Sequence, residues 1–181
     1  MNRYFVGIAI FFSVALPHLV FAVDSDRPME LFASAGAGGV VQDDLYWGRG
    51  FSMEFGALVN LSPKHGLGVR VAMQDGLNAA YLEGLSQQSW SAFYRWRPWG
   101  ARVLSPFLTL DAGFSGIRGN GVTTGTEYDS IHNLYGIGGG LLWTVHQHWM
   151  LRADFGWTSS HPAEGKELVQ WYVRAGLHFI F

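Results

Sequence analysis

The chain contains no cysteine. That excludes a disulfide framework, and it excludes a lipoprotein, which needs a thiol to acylate. Charged side chains are scarce, at 14% of 181 residues, against about 25% in an average soluble domain. Long apolar runs are missing as well. Beyond the N-terminal segment, no stretch holds the roughly 18–20 consecutive apolar residues that a membrane-spanning helix needs. Glycine and aromatic residues are plentiful, with 24 glycines and 15% Phe, Trp and Tyr. Few charges, many aromatics and glycines, and no spanning helix together fit a membrane β-barrel.

Residues 1–22 read as a secretory signal peptide, with Arg3 as the positive n-region and Tyr4 to Leu16 as the apolar h-region. Pro17 breaks that run, and Val20 and Ala22 are the small residues before a cleavage site. A membrane anchor is the alternative; the shortness of the run and the Asp24, Asp26 and Arg27 that follow argue against it. Cleavage after Ala22 would remove one of 12 basic residues and none of 14 acidic ones, leaving a net charge of −3. A basic nucleic-acid binder is thereby excluded. Residues 23–28 are expected to form a short periplasmic segment, and 29–181 the folded domain.

The end of the chain carries the clearest pattern. From Trp171 to Phe181 the residues alternate strictly: Trp171, Val173, Ala175, Leu177, Phe179 and Phe181 share one face, and Tyr172, Arg174, Gly176, His178 and Ile180 the other. Period two means a strand with an apolar and a polar face. This ending resembles the C-terminal assembly signal of bacterial outer-membrane β-barrels, carried here by Arg174, Gly176, Phe179 and Phe181.

Seven further segments alternate in the same way, over 29–40, 50–61, 67–74, 88–97, 105–116, 132–145 and 148–159. Loops are expected between them, short after even segments and long after odd ones, notably over 75–87 and 118–131. That meander predicts an all-β, eight-stranded, antiparallel up-and-down transmembrane barrel with both termini on the periplasmic side. Trp90, Trp96, Tyr135, Trp143, Trp149, Trp157 and Trp171 fall on outward positions and are assigned to the aromatic girdles. Trp149 and Trp157 lie eight residues apart on one face, as do Tyr135 and Trp143, and Trp171 and Phe179. Eight residues of tilted strand cover roughly 20 Å of membrane normal, close to the height of the apolar band. A soluble lipocalin-like barrel would not need three such pairs.

The stretch from Tyr135 to Trp157 also resembles the OmpA-like outer-membrane β-barrel family, through Gly136-Ile137-Gly138-Gly139-Gly140 and Trp149-Met150-Leu151-Arg152-Ala153-Asp154-Phe155. The resemblance implies an eight-stranded barrel integral to the outer membrane of a Gram-negative cell envelope. It implies lipopolysaccharide and membrane lipid as surroundings and the barrel assembly machinery as a partner. With the chain ending at Phe181, no periplasmic peptidoglycan-binding domain is expected.

Inward positions hold Glu54, Asp111 and Asp154 together with Arg70, Arg95, Arg97, Arg152 and Arg174. Buried charge is costly unless paired, so these predict an ion-pair network that fills the lumen; a narrow selective channel is the alternative. A third reading is a lipid A-modifying enzyme, a deacylase or acyltransferase. Its candidates are Ser130 and His132, two apart and on one face, or His161 beside Ser159 and Ser160. The deacylases, however, carry a His-x-Ser order, whereas this chain has Ser-x-His. His146 and His148 lack an evident third ligand, so no metal and no cofactor are expected. The outer loops are acidic: Asp43, Asp44, Asp75, Glu83, Glu127, Asp129, Glu164 and Glu167 outnumber Arg49, Arg118 and Lys166. The sequence therefore points to a non-enzymatic barrel with a structural or surface-interaction role, and it names no external ligand.

Overall fold

The computed structural model describes residues 29–42, 46–79, 82–121, 127–160 and 168–181; of these, 40–42, 46–49, 76–79, 82–85, 117, 119–121 and 127–130 are described by their backbone alone. The expected signal peptide and the 23–28 segment lie outside these residues.

Eight strands follow one another: β1 (Met29–Gln42), β2 (Tyr46–Asn60), β3 (His65–Ala79), β4 (Leu82–Trp96), β5 (Leu104–Gly121), β6 (Glu127–His146), β7 (Trp149–Ser160) and β8 (Leu168–Ile180). Each pairs antiparallel with its chain neighbours, and β8 pairs with β1 to close the barrel. Closure satisfies every ladder within the sheet and leaves no edge strand, the condition for a sheet to sit in lipid. Among the described residues no helix is long and apolar enough to cross a membrane; barrels cross with strands.

Side-chain alternation becomes alternation of burial. Along β7 exposed and buried residues alternate from Trp149 to Trp157. The exposed set over the whole barrel is apolar and large: Phe55, Leu110, Phe114, Tyr135, Ile137 and Val173 each leave more than half of their surface uncovered. On the outward face of the described strands no charged residue lies between the rim residues Asp75 and Arg118 and the turn residues Lys64 and Arg102. A continuous apolar belt of this kind is unfavourable in water and favourable in lipid. Trp149 faces Phe179 across β7 and β8 at one end of the belt, and Trp157 faces Trp171 at the other.

The glycines make the interior possible. A Cβ on Gly156 would lie 2.6 Å from Cζ of Tyr172 and 2.7 Å from the Ile137 carbonyl oxygen. One on Gly68 would lie 2.7 Å from the Phe93 ring. An eight-stranded barrel has room only for its own side chains, and Phe32, Phe93, Phe107 and Tyr172 each stand opposite a glycine: Gly56, Gly68, Gly140 and Gly156. Gly100, with φ at 68°, turns the chain between β4 and β5, where Ser105 Oγ accepts from the Arg102 amide at 2.8 Å.

The strands exceed the apolar pattern at one end. Loops were expected over 75–87 and 118–131, but β3 continues to Ala79, β4 starts at Leu82, β5 runs to Gly121 and β6 starts at Glu127. Register shifts between Gln74 and Leu77, Leu77 and Ala79, and Glu83 and Ser86 absorb the irregular residues, as β-bulges do. Above the bilayer a strand needs its ladder but no longer an apolar face, so the period-two signal fades before the strand ends. The segments 43–45 and 80–81 are shorter than the 97–103 turn at the opposite end. The expected alternation of loop length is thus largely an alternation of strand extension.

Candidate functional site

The interior is built in layers. The middle layer holds three carboxylates and three guanidiniums. Glu54 on β2 is its hub. Its carboxylate lies 3.1 Å from Arg70, 2.9 Å from Arg152 and 2.8 Å from Arg174, and it accepts a hydrogen bond from Ser34 Oγ at 3.0 Å. Asp154 receives Arg152 at 3.1 Å and Arg174 at 3.0 Å. Asp111 Oδ2 lies 2.6 Å from Arg70 in an ionic contact.

Local sequence places these groups. Register carries Glu54 to Ser34 on β1, Ser34 to Gly176 on β8, and Gly176 to Arg152 on β7. The two small residues in that row leave the space in which Glu54 and Arg152 meet. Asp154 and Arg174 are direct cross-strand partners. Aromatic faces finish the layer. The Arg174 guanidinium lies 3.7 Å from the centroid of Tyr172, and that of Arg152 lies 4.8 Å from Phe32 and 5.2 Å from Phe107. Cations over aromatic faces gain from the ring quadrupole.

A second layer sits toward the end that carries both termini, where the Phe181 amide donates to the Met29 carbonyl. Its hub is Glu30, which the sequence reading did not single out. Arg95 donates to both Glu30 oxygens, at 2.6 and 2.7 Å. Arg97 lies 3.7 Å away, His178 Nδ1 3.1 Å, and Asn60 donates at 2.8 Å. A bidentate Arg–carboxylate pair is the strongest form of this interaction. The signal for Glu30 was available: Leu31, Ala33, Ala35 and Ala37 face out, so Glu30 must face in. Two apolar clusters pack beside these layers: Phe32, Leu58 and Phe93, and Phe107, Leu142 and Met150.

The side chain of Ser130, and all of His161, lie outside the described residues. His132 is buried on the lumen side of β6, opposite Ser115 on β5. His146 and His148 have ring centroids 6.4 Å apart at the exposed β6–β7 turn. Among the described residues no three His, Asp or Glu side chains are grouped to hold a metal.

Of the girdle residues, Trp96, Tyr135, Trp143, Trp149 and Trp157 are exposed on the outer face, and Trp90 and Trp171 are half-buried there. In the assembly motif, Arg174 belongs to the middle layer, Gly176 gives it room, and the Phe179 and Phe181 rings meet edge to face at 5.2 Å between centroids.

No family model and no curated protein sequence matches the chain. Solved structures do. Neisserial surface protein A superposes with a TM-score of 0.71 at 14% identity, over 84% of this chain and 97% of that one. Ail, the attachment invasion locus protein of Yersinia pestis, matches with a TM-score of 0.55 at 16% identity, over 84% and 99%. A major outer membrane protein from Thermus thermophilus matches at 0.51 and 13%, over 86% and 100%. At these identities the likeness is one of fold. The closed meander, its apolar belt and its paired aromatic rims agree with that likeness, and the chain is a small eight-stranded β-barrel integral to the outer membrane.

Proposed function

We propose that the protein is a non-conducting, non-enzymatic barrel that acts through the surface it presents outside the cell. The observation that carries this reading is the middle layer: three carboxylates and three arginines from five strands meet across the lumen, with Glu54 touching three of the arginines. Paired charge closes the bore without leaving a net field for ions to follow. Membrane lipid and lipopolysaccharide would contact the belt, and the assembly machinery would read the β8 ending. Residues 1–22 would serve as the export signal. The acidic outer sequence favours contacts bridged by divalent cations to lipopolysaccharide phosphates, or adhesion to a basic partner.

Purified folded protein in planar bilayers tests the closed lumen. No large, stable conductance is expected, and a porin-sized conductance would overturn the reading in favour of a channel. Mass spectrometry of lipid A from cells with and without the gene tests the enzymatic alternative: identical acyl patterns are expected, and an altered pattern would refute the non-enzymatic role.

A further inference from the structure

Exposed charge is sorted by sign at the end that carries the termini. Among the described residues the exposed charged side chains there are Lys64, in the β2–β3 turn, and Arg102, in the β4–β5 turn, and no acidic side chain is exposed beside them. The exposed Asp75 and Arg118 stand at the opposite end. Among the described residues neither Lys64 nor Arg102 meets a carboxylate; the carboxylates of Glu30, Glu54, Asp111 and Asp154 are taken up inside the lumen. Two cations beside an apolar belt make a surface that attracts anions.

The two turns form one surface. The Arg97 amide donates to the Lys64 carbonyl at 2.7 Å, and a Cβ on Gly100 would lie 3.9 Å from Cγ of Lys64. The backbone around Arg102 is tied down: its amide donates to Ser105 Oγ at 2.8 Å, and the Thr144 amide donates to the Val103 carbonyl at 2.8 Å. The same turn carries Trp99 and Val103, which at 61% and 68% are the two most exposed large apolar side chains among the described residues. Leu104 pairs with Trp143 on the outer face. Arg102, two residues away, therefore stands up to roughly 7 Å beyond that aromatic rim. This is the level of lipid headgroups, where Trp rings also settle.

We propose that this turn surface binds an anionic phospholipid of the leaflet at the end with the termini, which in the expected orientation is the periplasmic one. Lys64 and Arg102 hold the headgroup phosphate, and Trp99 and Val103 lie against the lipid beneath it. The Arg102 guanidinium can donate to two phosphate oxygens at once, and the Lys64 ammonium adds a point charge. The apolar pair selects a lipid over a dissolved anion, which would leave Trp99 and Val103 in water. The absence of an acidic side chain beside the two cations selects a lipid of net negative charge over a zwitterion. The chain itself holds a rival occupant: Asp24 and Asp26 precede Met29 and enter at the same end.

The test places the folded protein in phosphatidylcholine nanodiscs with a rising fraction of phosphatidylglycerol, read by NMR at the Lys64 amide, Trp99 Nε1–H and Arg102 Nε–H. Arg118 Nε–H, at the other end of the barrel, is the internal reference. Shifts that saturate at Lys64, Trp99 and Arg102, with Arg118 unmoved, are expected. Lys64→Gln and Arg102→Gln alter exposed turn residues and are each checked for folding by heat-dependent gel mobility. Each should raise the phosphatidylglycerol fraction at half-saturation by about 5-fold, the worth of one basic residue at an anionic surface, whereas Lys64→Arg should leave it unchanged. Shifts that never saturate, or that appear equally at Arg118, would overturn the proposal by reducing it to a general surface potential. An unmoved midpoint in both Gln variants would overturn it as well. Saturable binding seen only after Asp24→Asn and Asp26→Asn would make the N-terminal segment the occupant and likewise overturn it.

Discussion

Glu54→Ala is the most informative single change. The side chain is fully buried and touches Arg70, Arg152 and Arg174 at 3.1, 2.9 and 2.8 Å. Its removal leaves three guanidiniums against the two remaining carboxylates, Asp111 and Asp154. Breaking a buried ion pair by deleting one partner costs about 3–5 kcal/mol, because the survivor keeps its desolvation cost and loses its counter-charge. Asp111 provides an internal scale. Its carboxylate contacts Arg70 alone, at 2.6 Å, where Glu54 contacts three arginines, so Asp111→Ala removes one ionic contact instead of three and should cost roughly half as much. Equilibrium urea unfolding in lipid vesicles, followed by tryptophan fluorescence, reads both variants against the parent. The reasoning is refuted if Asp111→Ala destabilises more than Glu54→Ala, or if Glu54→Ala is neutral; either result would mean that Glu54 is not the hub.

Ala153 is outward, on a row between Leu141 and Ala175, so Ala153→Arg should destabilise by about 2–4 kcal/mol near the bilayer midplane; an unchanged unfolding free energy would shift the register by one residue. Gly156→Ala would drive a methyl into Tyr172 and the Ile137 carbonyl, and should cost roughly 1–3 kcal/mol by overpacking in the same unfolding assay. Deleting Phe181 removes the ring packed on Phe179 and the amide bonded to Met29. It should lower the folded fraction recovered in the outer membrane, as scored by heat-dependent gel mobility; wild-type recovery would deny the ending an assembly role.

The barrel was legible because its lipid face must be apolar and its lumen face need not be. That constraint writes period two directly into segments such as 149–157 and 171–181. The ends of the strands were not legible. Asp75, Gly76 and Asn78 look like turn residues, yet the ladder runs through them with bulges, since hydrogen bonding between strands does not depend on an apolar side chain. The inward charges could be named from parity, but not who pairs with whom. That Glu54 meets Arg152 depends on the stagger of β2, β1, β8 and β7, which no single strand encodes. Glu30 stood at the head of a segment rich in alanine and glycine, where the alternation is faint, and its partners Arg95 and His178 lie 65 and 148 residues away.

The account rests on one face meeting lipid and the other meeting a filled lumen. With no native cysteine, single cysteines can be introduced from Met150 to Thr158 and spin-labelled in vesicles without interference. Collision with dissolved oxygen, which concentrates in lipid, should be high at Leu151, Ala153, Phe155 and Trp157 and low at Met150 and Thr158. High oxygen access at Met150 and Thr158, or a profile without alternation, would contradict the barrel in this register.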